Sequence, residues 1–145
     1  MNIPSADPAP KLHGVLETAL YAADLAASRR FYESVFGLAP MTVDARLAAY
    51  AIAPAQVLLL FQHGVTERTV ELPGGTIPGH DGAGRVHFAF AIAADDLAAW
   101  EARLQACNVS IEGRTQWPQG GESIYFRDPD QHLVELATPG LWSNY

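Results

Sequence analysis

The sequence of 145 residues is long enough for one ordinary domain and too short for two independent hydrophobic cores. Its apolar fraction of 49% and charged fraction of 17% are typical of a globular protein, and no apolar run approaches the roughly 20 residues of a membrane helix. The net charge of −7, without a clustered basic stretch, argues against nucleic acid as a partner.

The first thirteen residues contain three prolines and no apolar segment of signal-peptide length. We therefore expect residues 1–13 to be a flexible leader in a cytoplasmic protein. Cys107 is the single cysteine, so an internal disulfide is excluded, and a reducing compartment is compatible with this composition.

The first half of the chain alternates strand and helix patterns. Strand alternation over residues 15–21 places Glu17 and Ala19 on the same face. Asp24 is a favourable helix N-cap, and Gly37 is a favourable stop because glycine tolerates positive φ. The strands and helix predicted for this half are, in order, 15–21, 25–36, 47–52 and 56–62.

The second half repeats this order after a glycine-rich stretch. Residues 72–84 hold five glycines and two prolines, which predicts a loop that links the halves. Asp95 or Asp96 is expected to cap a second helix. The strands predicted around that helix are 86–92, 123–127 and 133–137, the last two joined by a turn at 128–130.

The two halves contain related sequences at matching places. Asp24-Leu25-Ala26-Ala27 recurs as Asp96-Leu97-Ala98-Ala99, and residues 57–64 align with residues 133–140. The repeated order of strand, helix, strand and strand, with further strands expected in each half, predicts an α+β fold in which both sheets curl around a shared cleft. The predicted organisation is a domain over 14–140, with modules at 14–71 and 85–140, a linker at 72–84 and a tail at 141–145.

Three potential metal ligands fall on corresponding strand positions. In the repeat register Glu17 matches His87, and Glu135 matches Leu59. A carboxylate on the inner face of an apolar strand is costly unless it is paired or bound to a metal. The set Glu17, His87 and Glu135 therefore predicts a metal site. The alternatives for Glu17 are a salt bridge to Arg85 or Arg114 and an exposed position at the cleft edge. The alternatives for the other two are a hydrogen-bonded core histidine at position 87 and a surface carboxylate on an edge strand at position 135.

With these residues placed, the sequence resembles the vicinal oxygen chelate superfamily, which includes glyoxalases, extradiol dioxygenases, fosfomycin-resistance thiol transferases and bleomycin-binding proteins. The segments that carry the resemblance are the helix start at Asp24-Leu25 with Phe31-Tyr32 and Phe36-Gly37-Leu38, the strand Val86-His87-Phe88-Ala89-Phe90, and residues 126–136. The resemblance implies two repeated βαβββ modules that pair, a divalent metal in the cleft and a substrate bound through neighbouring oxygens. It places the metal positions on Glu17, Leu59, His87 and Glu135, of which Leu59 cannot coordinate.

The expected cofactor is one divalent ion, with manganese, iron(II), nickel, zinc and magnesium all compatible with two carboxylates and an imidazole. Open coordination positions would let the ion act as a Lewis acid on a small oxygenated substrate, with Glu17 and Glu135 as candidate catalytic groups. The reaction would be of lyase, isomerase, transferase or dioxygenase type, in a homodimer. A metal-independent small-molecule or antibiotic-sequestering protein is the alternative, and a non-catalytic module is a third reading.

Further residues are candidates for the pocket lining, although packing or surface positions are equally compatible with each of them. These are Tyr50, Trp117, Tyr125, Arg127 and the segment 141–145. Surface positions are expected for His13, His63, His80 and His132, although His80, in the glycine-rich loop, could reach a bound substrate. Cys107 is expected to be a packed apolar residue.

Overall fold

The computed structural model describes residues 8–145. Residues 1–7 of the predicted leader lie outside the described residues, and residues 8–13 are exposed and form neither helix nor strand. Among the described helices, none combines the length and hydropathy needed to cross a membrane.

The first module is one four-stranded sheet with a helix. Its elements are β1 (Glu17–Ala22), α1 (Leu25–Phe36), β2 (Pro40–Val43), β3 (Leu47–Ala53) and β4 (Gln56–Gln62). The sheet order is β1-β4-β3-β2, in which β1 and β4 are parallel. Ala19 of β1 lies opposite Leu59 of β4 in this register, so Glu17, Ala19 and Leu59 share one face.

The second module has the same topology. After the linker come β7 (His87–Ala91), a 3-10 turn (Ala94–Asp96), α2 (Leu97–Ala106), β8 (Gly113–Gln116), β9 (Glu122–Arg127) and β10 (Leu133–Ala137). Its sheet order β7-β10-β9-β8 again pairs the first and last strands in parallel. The prediction of an α+β fold with two repeated βαβββ modules is confirmed.

The linker between the modules is more ordered than its composition predicts. Residues 70–72 (β5) and 75–77 (β6) form a two-stranded antiparallel sheet, so the expectation of a plain loop over 72–84 is wrong for its first part. Pro73 and Gly74 form the turn between the strands, and the hairpin consists of three paired positions. A Cβ at Gly82 would lie 2.6 Å from the Tyr21 ring, so glycine lets the later part of the linker run directly over β1.

The two helices begin differently. Asp24 caps α1 as predicted, because its side chain accepts from the amide of Ala27 at 3.2 Å, and Gly37 ends α1 with φ 67°. Asp96 occupies the N-cap position of α2 as predicted, but its side chain does not bond a first-turn amide. Asp96 already has helical φ and ψ of −93° and −6°, which continue the preceding 3-10 turn.

A shared core joins the backs of the two sheets. Two buried residues of α1 pack against different sheets. Tyr32 lies among the side chains of the first sheet, and Val35 lies among those of the second. Phe88 and Phe90, on the back of β7, pack against both groups of side chains. The opposite faces of the sheets, here called the front faces, therefore point away from this core. Because side chains alternate along a strand, the front faces carry Glu17 in the first sheet and His87 and Glu135 in the second.

Candidate metal centre

The front face of the second sheet brings two of the predicted ligands together. His87 begins β7, and Glu135 lies on the adjacent parallel strand β10, opposite Ala89. The distance from His87 Nε2 to Glu135 Oε1 is 3.2 Å. The Glu135 side chain is only 6% exposed, whereas that of His87 is 47% exposed, so the pair lies at the floor of an accessible surface.

The hydrogen bonds around this pair determine which atoms remain free. His87 Nδ1 lies 2.9 Å from the carbonyl oxygen of Leu133, which can only accept, so Nδ1 carries the proton. The lone pair of Nε2 is then directed at a carboxylate oxygen, an arrangement of two acceptors that needs a proton or a cation between them. Ligand atoms at neighbouring positions of an octahedral ion lie about 3 Å apart when each is about 2.1 Å from the metal. The observed separation of 3.2 Å therefore fits a shared divalent ion.

The second oxygen of Glu135 is occupied by the protein. Ser123 Oγ donates to Glu135 Oε2 at 2.6 Å, and Trp117 Nε1 donates to Ser123 Oγ at 2.8 Å. Ser123 lies on β9 opposite Ala137, and period-two alternation puts it on the front face with Glu135. A half-buried tryptophan thus reaches the candidate metal centre through one serine.

Glu17 is on the front face of the first sheet and is exposed. It lines a cavity of about 330 Å³ together with Leu59, Phe61 and two arginines, Arg46 and Arg68. Within residues 8–145 no hydrogen bond or ion pair holds its carboxylate. The alternative of a salt bridge to Arg114 is not formed, because that guanidinium pairs with Glu101.

A single chain does not bring Glu17 to the other two predicted ligands. Among the described residues, the one group of three or more metal-ligating side chains with all ligand atoms within 4.8 Å is Asp128, Asp130 and His132. The front faces point away from the common core, so a chain by itself presents Glu17 on one surface and the pair of His87 and Glu135 on another.

The group around Asp128 joins the modules by hydrogen bonds within the protein. Asp128 Oδ2 accepts from Tyr32 Oη at 2.8 Å and pairs with His132 Nδ1 at 2.7 Å, while Asp130 Oδ1 accepts from the amide of Ala23 at 2.8 Å. The expectation that His132 lies on the surface is wrong, since it is 3% exposed. Its ring bonds Asp128, which in turn accepts from Tyr32 of the other module, an arrangement that the turn sequence alone does not encode.

The remaining candidates have mixed positions. His80 lines the cavity beside Glu17, and its Nδ1 lies 2.6 Å from Tyr21 Oη. Tyr125 stands next to His87, with ring centroids 6.2 Å apart. Tyr50 does not line the pocket, because it is fully buried on the back of the first sheet and bonds Glu33.

The comparison with family models identifies the class of protein. Residues 14–136 match the model described as Glyoxalase/Bleomycin resistance protein/Dioxygenase superfamily. The match covers both modules, and the chain belongs to this superfamily. The resemblance found in the sequence is therefore confirmed.

Two individual proteins are similar to this chain over most of its length. The chain is 33% identical over 133 residues to metallothiol transferase FosB of Bacillus licheniformis, covering 91% of this chain and 79% of that protein. It superposes on the crystal structure of lactoylglutathione lyase from Agrobacterium tumefaciens with a TM-score of 0.82 and 33% identity, over 92% and 99% of the two chains.

A third relative shares the fold and carries a metal. FosX from Listeria monocytogenes, complexed with Mn(II) and sulfate, has a TM-score of 0.65 and 21% identity to this chain. The match covers 88% of this chain and 91% of that one, and at this identity it shows the fold alone. The predicted link between this fold and a divalent ion is confirmed for that relative.

Proposed function

We propose that this protein is a divalent-metal-dependent enzyme of transferase type that acts on a small oxygenated compound. The observation that carries the proposal is the pair of His87 Nε2 and Glu135 Oε1, 3.2 Å apart, each on a side chain whose other polar atom is already bonded. Such a pair has the spacing and the charge that a divalent ion requires. When bound, the ion would polarise a substrate oxygen and stabilise negative charge that develops on it.

Glu17 is the third ligand in this proposal, contributed by a second copy of the chain. Glu17 of one copy would meet His87 and Glu135 of the partner subunit, so the shared cleft would lie between two chains. Support comes from the sheet edges, because β1 and β7 are edge strands. Exposed apolar side chains stand next to them, at Val15 (73% exposed), Leu16 (58%) and Val86 (45%). Edges of this kind are usually covered in the native assembly.

The cavity beside Glu17 is the proposed substrate pocket. Leu59 and Phe61 supply apolar walls, while Arg46 and Arg68 supply two guanidinium groups in a protein whose net charge is −7. Its volume of about 330 Å³ suits a small molecule. A substrate with a hydrocarbon part and an anionic group fits these walls, because guanidinium groups pair with carboxylates and phosphates.

Group transfer is the proposed reaction type because metallothiol transferases are relatives over most of the chain. A lyase is the second candidate, favoured by the TM-score of 0.82 with lactoylglutathione lyase. Position 59 separates the two, since leucine leaves three protein ligands where the family resemblance implies four for glyoxalase-type members. We therefore expect efficient glyoxalase activity to be absent.

Metal content tests the proposal. Wild-type protein, His87→Ala and Glu135→Ala would be loaded with Mn²⁺, desalted and measured by elemental analysis, with Tyr125→Phe as the matched control beside the site. We expect Tyr125→Phe to retain the ion and both ligand variants to lose it. Equal manganese in all four proteins would overturn the site. A small-molecule affinity that survives chelation unchanged would instead support the metal-independent binding protein.

A further inference from the structure

We propose that Ser123 and Trp117 are positioning residues for Glu135, and that they hold its carboxylate so that a single oxygen faces the ion. The inference rests on the proposed function, because it concerns how the metal ligand is presented. Its basis is the chain of two hydrogen bonds from the indole of Trp117 through Ser123 to Glu135 Oε2.

The direction of these two hydrogen bonds is fixed by the chemistry of the Trp117 indole. An indole N–H can only donate, so Ser123 Oγ must accept from Trp117. The single hydroxyl proton of Ser123 is then left for the carboxylate, at a distance of 2.6 Å. Glu135 Oε2 is consequently occupied whenever Glu135 is ionised, and Oε1 is the oxygen that faces His87 Nε2.

Burial and backbone packing restrict the movement of these three side chains. Ser123 is 1% exposed and Glu135 is 4% exposed, so water has little access to their hydrogen bond. Trp117 begins a turn in which its amide donates to the carbonyl of Gly121 at 2.8 Å. That turn is pressed against the segment after β10, because a Cβ on Gly121 would lie 2.7 Å from the carbonyl carbon of Gly140.

This arrangement has a consequence for coordination. A carboxylate that is free to rotate can bind an ion through both oxygens and so occupy two coordination positions. With Oε2 bonded to Ser123, Glu135 provides one ligand atom and a position remains open for a substrate oxygen. Groups that orient a ligand in this way typically contribute 10- to 100-fold to metal affinity, an order-of-magnitude range.

The test measures Mn²⁺ affinity by titration calorimetry on the full-length protein. Ser123→Ala should bind Mn²⁺ roughly 10- to 100-fold more weakly than wild type, while Ser123→Thr, which keeps the hydroxyl, should recover most of the affinity. Trp117→Phe should have a smaller effect in the same direction. The double variant of Ser123 and Trp117 should be no weaker than Ser123→Ala alone, because the indole acts only through the serine.

A second measurement is made on the wild-type protein, so its result does not depend on whether the Ser123 and Trp117 variants fold. The indole N–H signal of Trp117 in a nitrogen-15 spectrum should broaden when Mn²⁺ is added and should persist with diamagnetic Mg²⁺. The two other tryptophans are assigned by Trp100→Phe and Trp142→Phe.

The outcomes separate this inference from the proposed function. If Mn²⁺ binds to wild type, is lost in His87→Ala and is bound unchanged by Ser123→Ala, the positioning role alone is overturned. If wild type and His87→Ala both fail to bind Mn²⁺, both proposals are overturned. A Trp117 signal that stays sharp with bound Mn²⁺ would also overturn the positioning role, since the indole would then be remote from the ion.

Discussion

Tyr32→Phe should destabilise the protein by removing one of the hydrogen bonds that join the first helix to the second module. Tyr32 is fully buried, and its hydroxyl donates to Asp128 Oδ2 at 2.8 Å. A hydrogen bond to a charged group contributes about 1.5–3 kcal/mol. Asp128 keeps three other donors, from the amides of Asp130 and His132 and from His132 Nδ1. We therefore expect a loss of about 1.5–2 kcal/mol, toward the lower end of that range.

The loss is measurable by heat or denaturant. For a domain of this size a change of 1 kcal/mol shifts the Tm by about 2–4 °C, which predicts a fall of about 3–8 °C for Tyr32→Phe. The aromatic packing is retained, because Phe keeps the ring that stacks on Phe36 at 5.7 Å. Tyr125→Phe is the matched control, since within the described chain its hydroxyl has no hydrogen-bond partner. Equal, small losses of stability in Tyr32→Phe and Tyr125→Phe would refute a stabilising role for the hydrogen bond from Tyr32 to Asp128.

Three further predictions concern pH, the linker and position 59. Burial and the hydrogen bond from Tyr50 to the carboxylate of Glu33 raise the Tyr50 pKa to about 12. The folded state therefore holds the Tyr50 proton more tightly than the unfolded chain does, and this difference stabilises the folded state fully below pH ~10. The stabilisation should be lost between pH ~10 and pH ~12, at about 1.4 kcal/mol per pH unit. Urea titrations should show this fall and its reduction in Tyr50→Phe. Gly82→Ala places a Cβ 2.6 Å from the Tyr21 ring and should cost about 1–3 kcal/mol, whereas Gly74→Ala, with no atom within 4 Å, should cost little. Leu59→Glu should lower the Tm without metal and show a larger Mn²⁺-induced rise than wild type; an equal rise would mean that position 59 does not face the ion.

The sequence predicts best where a local signal decides the structure. The bounds of α1 match the prediction because Asp24 and Gly37 act on the adjacent turns alone. The strands β2 and β8 lie at sheet edges, and their positions could not be read because edge segments need only one partner and carry little apolar alternation. The sequence does not predict the hairpin of β5 and β6 for a related reason, since glycine and proline lower the strand propensity of a segment that pairs only with itself.

Some features of the candidate site follow from local sequence patterns, whereas others depend on how the strands and modules pack. Strand parity predicts that His87 and Glu135 face one side, and the parallel pairing of β7 and β10 brings their ligand atoms to 3.2 Å. The separation of Glu17 from this pair depends on how two modules pack their backs together, which no local pattern encodes. The register of β9 on β10 brings Ser123 to Glu135, and Trp117 reaches Ser123 from the turn between β8 and β9, so neither contact is readable from a local pattern.

In the proposed dimer one ion is held by Glu17 of one copy and by His87 and Glu135 of the other. The most direct test mixes two variants, Glu17→Ala and His87→Ala, which by themselves should bind no Mn²⁺. After unfolding and refolding together in equal amounts, half of the dimers should be mixed, and each mixed dimer should contain one intact site. Mn²⁺ binding should therefore return to about one quarter of the wild-type amount per chain. Normal Mn²⁺ binding by either variant alone, or no recovery in the mixture, would show that the site is not shared between two chains.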